Sequence, residues 1–264
     1  GQEPTVLVVF DSVGPTFRDE IYTEYKAQRP PPPEDLGPQF DLAIRACEAF
    51  GWPALSAPGY EADDIIATLA TQAGIEAPAP RPVAIVGSDK DFMQLVDEST
   101  VMVCPTKKKL FGPLEVVEKF GVLPELMVDL QSLMGDASDN VPGVPGIGPK
   151  TAATLLQEFG TLDAVLEGAA NGGIKQSKRQ AALLDYREQA LLSKSLVALK
   201  RDVPTGALLR TAWETHLPLE AAVDFKTLMA QPTPTDFEAA ALFCESHELW
   251  KAAQRARGHI PVLE

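Results

Sequence analysis

The stretch Val6-Leu-Val-Val-Phe-Asp11 joins an unbroken apolar run to an acidic residue. The same pattern returns at Val83-Ala-Ile-Val86, which runs on to Asp89. Short β-branched runs without polar alternation are typical of strands covered on both faces, as in a parallel sheet. Helical patterns over 40–50 and 62–73 separate the two runs. The alternation of strands and helices predicts an α/β domain with a mostly parallel central sheet flanked by helices.

Charge divides the chain of 264 residues into three segments, although the whole carries a net −14. Residues 1–141 hold 10 basic and 23 acidic residues, residues 142–201 hold 8 and 5, and residues 202–264 hold 5 and 9. We predict an α/β core over 1–141, a helix-hairpin-helix region over 142–203 and a helical tail over 204–264. Within the core, residues 12–40 form a polar excursion that contains a predicted helix, Phe17–Gln28, and four consecutive prolines.

Several classes of protein are excluded by composition. Three cysteines without a CxxC spacing argue against a disulfide scaffold or a zinc site. No apolar run approaches the roughly 20 residues that cross a bilayer. The first residues lack the pattern of a secretory signal, so we expect the protein to stay in a bacterial cytoplasm, at the nucleoid, or in a DNA-containing organelle.

Acidic residues stand where strands end and where a helix begins. Because the carboxyl ends of parallel strands share one edge of a sheet, these side chains are expected to meet there. Converging carboxylates repel one another unless cations neutralise them, and such hard oxygen ligands suit Mg²⁺, which Mn²⁺ can replace. The candidate catalytic and metal-binding residues are Asp11, Glu61, Asp63, Asp64, Asp89, Asp91, Asp136 and Asp139.

Each acidic group taken alone also fits a plainer interpretation. Residues 61–64 would favour the positive end of a helix dipole, and the other acids would be caps or turn residues. The combination of four such groups beside apolar strands and glycine turns favours metal binding. Two divalent ions about 4 Å apart are the usual device for phosphodiester cleavage.

The segment Val141-Pro-Gly-Val-Pro-Gly-Ile-Gly-Pro-Lys-Thr151 is a glycine hairpin that leads into a helix. Gly146 and Gly148 permit close backbone approach, and free N–H groups at the helix start can face an anion. Pro149 interrupts the spacing of a nucleoside-triphosphate-binding loop, which argues against nucleoside-triphosphate binding by this segment. The basic surroundings favour a grip on a nucleic-acid backbone, whereas the glycines alone would also fit a plain turn between helices. The candidate DNA-binding residues here are Gly146, Gly148, Lys150, Thr151, Lys178 and Arg179.

In this order the motifs resemble the 5′-nuclease domain of bacterial DNA polymerase I, a member of the flap endonuclease family. The resemblance covers about 5–205 and rests on several unusual motifs together. They are Val9-Phe-Asp11, Thr16-Phe-Arg-Asp-Glu20, Tyr25-Lys26 to Arg29-Pro30, Glu61-Ala-Asp-Asp64, Ser88-Asp-Lys-Asp91, Gly135-Asp-Ala-Ser-Asp-Asn140 and Gly143-Val-Pro-Gly-Ile-Gly-Pro-Lys-Thr-Ala152.

The resemblance implies a PIN-like α/β nuclease that uses two Mg²⁺ ions, a helical arch and a helix-hairpin-helix to cut DNA at 5′ flaps or RNA primers. One ion would be held by Asp11, Glu61, Asp63 and Asp64, and the other by Asp89, Asp91, Asp136 and Asp139; Asp63 could also contact both ions. Contacts to the threaded strand would come from Arg18, Tyr22, Lys26 and Arg29, which an exposed amphipathic helix would also explain. Lys90, otherwise an ordinary turn lysine, would offset transition-state charge.

Two departures from the family keep alternatives open. The chain starts late, so we expect an opening strand with one metal-binding aspartate to be missing, and Val13 stands where the family usually has a lysine. A catalytically weakened module that binds DNA junctions is therefore the alternative function. A nuclease for structured RNA is a third hypothesis, because backbone contacts need not select the sugar.

Overall fold

The computed structural model describes residues 4–75, 81–204, 209–211, 218–222 and 235–259. The strands are β1 Val8–Val9, β2 Ala54–Ser56, β3 Val83–Val86, β4 Thr100–Cys104, β5 Lys109–Phe111, β6 Leu209–Thr211 and β7 Pro218–Ala222. The helices are α1 Phe17–Ile21, α2 Gly37–Phe50, α3 Ala62–Ile75, α4 Pro113–Phe120, α5 Met127–Met134, α6 Pro149–Phe159, α7 Leu162–Ala170, α8 Ser177–Asp185, α9 Arg187–Val197, α10 Phe237–Ser246 and α11 Trp250–Arg257. Two short 3-10 helices cover Lys90–Leu95 and Pro124–Leu126.

The chain forms two compact units. The first comprises residues 1–14, 30–65 and 203–264, and the second comprises residues 15–29 and 66–202. This grouping differs from the predicted boundaries at 141 and 203, because the end of the chain packs with its beginning. No helix in the described ranges is long and apolar enough to cross a membrane.

The first unit contains a sheet with the strand order β1-β2-β6-β7. β1 and β2 are parallel, with Val8 opposite Ala54, whereas β6 and β7 add antiparallel strands to the free side of β2. The prediction of a helical tail over 204–264 is therefore wrong for β6 and β7, since strands of three and five residues are too short to show a diagnostic alternation. The helical part is α10 and α11, where Ala240, Ala241 and Ala256 pack against Phe50.

The second unit contains a sheet with the order β3-β4-β5 and the larger core. β3 and β4 are parallel, and β4 is the central strand of this sheet. β5 returns antiparallel to β4. The prediction that Val83–Val86 is covered on both faces is wrong, because of its four residues only Ile85 is buried and Val86 is 69% exposed.

Helix ends in this unit follow elementary capping rules. In α4, Pro113 occupies the first turn and Glu115 accepts a hydrogen bond from the Gly112 N–H at 2.9 Å. The helix ends at Gly121, which adopts the left-handed conformation. In α6, Gly148 is the N-cap and Pro149 the first residue. These rules fix where α4 and α6 begin, and the first residues of α6 belong to the predicted hairpin.

Candidate metal centre

Three of the predicted ligands converge in the second unit. Asp91, Asp136 and Asp139 each offer one carboxylate oxygen, and these three atoms lie within 4.8 Å of one another. Asp91 lies in the 3-10 helix that follows β3, and the other two lie in the turn that follows α5. This group, which we call the acidic cluster, has the donor chemistry and the spacing to hold a hard divalent cation.

The loop that carries Asp136 and Asp139 is held by close backbone contacts. The N–H of Asp136 donates to the Val141 carbonyl at 2.9 Å, and the N–H of Val141 donates back at 2.8 Å. Gly143 packs directly on the backbone of Gly135, where a Cβ atom at Gly143 would collide with main-chain atoms. Glycine is therefore required at this approach, and the loop geometry depends on it.

Asp91 and Asp136 do not ionise alike. Burial, together with the negative charges of Asp89 and Asp136, raises the pKa of Asp91 to about 7, although Gln131 Nε2 donates to its Oδ1 at 2.5 Å. Burial also opposes ionisation of Asp136, but hydrogen bonds from Lys90 and Ser138 outweigh it and lower the pKa of that carboxyl. A cation bound among these oxygens would offset the burial and the neighbouring negative charges that keep Asp91 protonated.

Asp89 lies next to the acidic cluster without being a member of it. Its Oδ1 accepts a hydrogen bond from the N–H of Asp91 at 3.0 Å, so Asp89 caps the 3-10 helix. The predicted set of Asp89, Asp91, Asp136 and Asp139 is thus gathered in one place, with Asp89 in a capping position.

The other predicted set lies in the first unit, at the start of α3. Asp11 Oδ1 accepts a hydrogen bond from the N–H of Ala62 at 2.8 Å, which brings the end of β1 to the helix start. Asp64 is fully buried and its Oδ2 accepts from the N–H of Glu61 at 3.2 Å. Asp63 belongs to the first turn of α3. Among the described residues these carboxylates do not form a second group at ligand distance, so their role as ligands stays a prediction.

Basic side chains surround the acidic cluster. Lys90 Nζ lies 2.8 Å from Asp136 Oδ2, Arg29 Nη2 lies 2.6 Å from Asp139 Oδ1, and Lys26 Nζ lies 3.7 Å from Asp139 Oδ2. Tyr25, which the sequence interpretation missed, donates its hydroxyl to Asp139 at 3.2 Å. The sequence could have indicated Tyr25, because it stands next to the candidate Lys26 in the polar excursion.

The polar excursion is less helical than predicted. α1 ends at Ile21, and residues 23–28 form turns in place of the predicted helix to Gln28. Lys26 adopts a positive φ of 53°, and its N–H donates to the Asp139 carbonyl at 3.0 Å. Asn140 Nδ2 donates to the Glu24 carbonyl at 2.6 Å. These long-range bonds fasten residues 24–29 to the loop of the acidic cluster, which local helix propensity could not predict.

Arg18 and Tyr22, which were predicted to contact the DNA strand, are buried and half-buried. Arg18 is 1% exposed, and its Nε donates to the Leu196 carbonyl at 2.7 Å. The Tyr22 ring packs on a small core that includes Tyr25 and Val197. The expectation that Arg18 faces a DNA strand is wrong, because its guanidinium satisfies carbonyl groups at the end of α9.

The glycine hairpin leaves room beside two of its glycines. A Cβ atom at Gly146 or at Gly148 would meet no atom within 4 Å. Ile147 between them is buried and anchors the tip. Lys150 and Lys178 are exposed, Thr151 is half-buried, and Arg179 bonds to Gln176 at 2.6 Å.

Lys194, a basic residue of the segment 142–201, forms ion pairs within the protein. Its Nζ lies 3.0 Å from Asp129 Oδ1 and 3.6 Å from Asp163 Oδ2. Its ion-pair partner Asp129 is buried, and Asp129 Oδ2 also accepts a hydrogen bond from the Leu162 N–H at 2.9 Å. Lys194 therefore joins α9 to α5 and α7.

Comparison with known proteins identifies two adjoining domains of one family. Residues 1–121 match the model of the 5′-3′ exonuclease N-terminal resolvase-like domain, and residues 122–216 match that of the 5′-3′ exonuclease C-terminal SAM fold. The chain is 52% identical over 205 residues to DNA polymerase I of Rhizobium leguminosarum, which covers 77% of this chain and 20% of that protein. It is 40% identical over 243 residues to the thermostable DNA polymerase I of Thermus filiformis, covering 92% of this chain and 26% of that protein.

Solved structures agree on the fold. A T5 5′-exonuclease with bound zinc is 22% identical, with a TM-score of 0.65 that covers 94% of this chain and 84% of the other. The catalytic core of Rad2 in complex with a DNA substrate is 20% identical, with a TM-score of 0.52 that covers 97% and 79%. The predicted flap endonuclease fold is confirmed. The chain spans about a fifth of the length of the curated relatives it matches.

Proposed function

The chain belongs to the 5′-3′ exonuclease family, and we propose that it hydrolyses DNA phosphodiesters at 5′ flaps and RNA primers. One observation carries the proposal: Asp91, Asp136 and Asp139 place three carboxylate oxygens within 4.8 Å of one another in a chain of this nuclease family. An exonuclease that acts on DNA also fits the predicted location in a bacterial cytoplasm or a DNA-containing organelle, which cell fractionation tests.

The donor set fits Mg²⁺, and we propose two ions. One would be held by Asp91, Asp136 and Asp139 with Asp89, and the other by Asp11, Glu61, Asp63 and Asp64. When bound, such ions would supply Lewis-acid stabilisation of phosphate charge and lower the pKa of the attacking water. The close approach of the three carboxylate oxygens supports this choice, because negative groups at such distances repel one another unless a cation lies between them.

The chain's own residues would act around the phosphate. Lys90 and Arg29 lie 2.8 and 2.6 Å from Asp136 and Asp139, and they would add positive charge where phosphate charge develops. The backbone at Gly146 and Gly148, together with Lys150, would bind the DNA backbone away from the cut. These contacts carry no base specificity, which suits recognition of a junction by its shape.

Cleavage of a labelled 5′-flap DNA in Mg²⁺ and in a chelator tests the proposal. The Asp91→Asn/Asp136→Asn variant is expected to lose at least about a hundredfold in rate. Asp185→Asn, which removes an exposed carboxylate at the end of α8, is the matched control and should cut normally. Undiminished cutting by the double variant would eliminate the acidic cluster as the active site.

The same assay separates the alternative functions. Salt-sensitive flap binding by the wild-type chain without turnover would identify a junction-binding module instead of an enzyme. Matched DNA and RNA flaps, compared at equal salt, would show which sugar the site accepts.

A further inference from the structure

Three lysines crowd together at the β4–β5 hairpin and the neighbouring helix α4. Lys107 precedes β5, Lys109 begins it and Lys119 lies near the end of α4, and all three are exposed. The Nζ atoms of Lys109 and Lys119 lie 5.1 and 5.0 Å from the centroid of the same Phe111 ring. Two ammonium groups are thus held beside one buried aromatic side chain. We call these three residues the lysine cluster.

The lysine cluster is poorly neutralised. The ion pair recorded for it among the described residues joins Lys109 Nζ to Glu118 Oε2 at 3.9 Å, and Glu118 is 77% exposed, so this contact is weak. Burial and the positive charges of Lys107, Lys109 and Lys90 lower the pKa of Lys119. Glu115 also lies in the field of Lys109. Lys107 and Lys119 are therefore the members for which a further anion would relieve most repulsion.

Hydroxyl groups border the lysine cluster on the side of the metal centre. The exposed side chains of Ser88 and Thr106 lie 3.3 Å apart, and both contact the Cys104 sulfur, at 3.6 and 3.3 Å. Ser88 immediately precedes Asp89, and Thr106 immediately precedes Lys107. Positive charge and hydroxyl donors therefore continue from the end of β3 to the hairpin, within the same unit as the acidic cluster.

We propose that Lys107, Lys109 and Lys119 bind backbone phosphates of the nucleic-acid strand whose neighbouring phosphodiester is cut. This inference rests on the proposed function and adds a second phosphate-binding surface to the one proposed at the glycine hairpin. The cations come from a hairpin and a helix and are all exposed, which suits a polyanionic strand with several phosphates. Lysine acts as a point charge towards phosphate, so the contacts would be insensitive to base sequence.

Salt-dependent binding of the full chain to a 5′-flap DNA in chelator tests the lysine cluster. The Lys107→Gln/Lys119→Gln variant is compared with Lys251→Gln/Arg255→Gln, which removes the same charge from exposed positions of α11. The first variant is expected to bind about tenfold more weakly and to lower the slope of log Kd against log salt by about 1.5. The control should keep the wild-type slope, and thermal melting checks that both variants fold.

The outcomes separate this inference from the proposed function. An unchanged slope in Lys107→Gln/Lys119→Gln, with normal flap cutting by the wild type, would overturn the lysine cluster and leave the nuclease intact. A reduced slope without cutting by the wild type would support the cluster and overturn the nuclease. Equal losses in both double variants would show that only total charge matters and would also overturn the cluster.

Discussion

At the scale of single residues, the acidic cluster is shaped by the contrast between Asp91 and Asp136. The pKa of Asp91 is raised to about 7 by burial and by neighbouring carboxylates, whereas hydrogen bonds from Lys90 and Ser138 lower that of Asp136. Without a cation, Asp91 therefore holds a proton at pH values where an exposed aspartate has lost it. The sequence placed Asp91, Asp136 and Asp139 among the acids expected to converge. It could not predict which of them would stay protonated, because that depends on burial and on the neighbouring carboxylates.

This contrast predicts a pH dependence of stability in chelator. The folded protein binds the Asp91 proton more tightly than the unfolded chain, so the stabilisation is complete below pH 4 and is lost as the pH rises through about 7. The loss would reach at most about 4 kcal/mol. Urea unfolding at pH 4 and pH 8 measures it, and Asp91→Asn should show a smaller fall than wild type or Asp185→Asn. A divalent cation should reverse the fall, whereas equal slopes in all three proteins would contradict it.

A second residue-scale prediction concerns two glycines with different surroundings. Gly143→Ala forces a Cβ into the backbone of Gly135, and we expect it to cost more than about 3 kcal/mol of unfolding free energy. Gly146→Ala also has a positive φ but meets no atom within 4 Å, so it should cost about 1 kcal/mol. Chemical denaturation compares them. Similar costs would show that the close approach between Gly135 and Gly143 does not organise the loop.

At the scale of elements, the sequence located helices where the apolar pattern was long. The helices predicted over 40–50 and 62–73 correspond to α2 and α3, each of 14 residues. α1 is shorter than predicted because the N–H of Lys26 bonds to the Asp139 carbonyl, 113 positions away in the chain. From the sequence alone, Arg18 likewise fits a surface cation, but in the folded chain its guanidinium donates to the carbonyls of Leu196 and Ala198. Contacts between residues so far apart in the chain decide which way a side chain faces, and a local sequence pattern does not reveal them.

The contact between α5 and α9 yields an element-scale prediction. Lys194→Met leaves the buried Asp129 without its cation, and we expect a loss of about 2 kcal/mol, moderated because Lys194 is 35% exposed. DNA affinity should stay within twofold of wild type, since Lys194 faces Asp129 and Asp163. Lys178→Met, an exposed substitution in α8, is the control and should change stability by less than about 0.5 kcal/mol. A variant as stable as wild type would contradict the proposed tie between the helices.

At the scale of the whole molecule, the net negative charge is compatible with the proposed DNA substrate because acidic and basic residues are concentrated in different segments of the chain. Of the 37 acidic residues, eight are the candidate ligands, whereas residues 142–201 carry a positive balance. The sequence could predict this segregation, because it needs only counting. It could not predict that Lys26, Arg29 and Lys90 form ion pairs with Asp136 and Asp139, since those pairs form only in the folded chain. Metal binding would therefore release cations as well as neutralise carboxylates.

This release predicts that removal of divalent ions weakens DNA binding. With Mg²⁺ bound, Asp136 and Asp139 would no longer need Lys90 and Arg29, and these side chains could turn to phosphate. We expect chelation to raise the Kd for a flap DNA with phosphorothioate links by about tenfold, measured by fluorescence anisotropy. Asp91→Asn/Asp136→Asn should lose the response to metal, while Asp185→Asn should keep it. Mg²⁺ should also stabilise the wild type by about 2.7 kcal/mol at a hundred times its Kd. Equal affinity with and without chelator would show that these cations never reach the DNA.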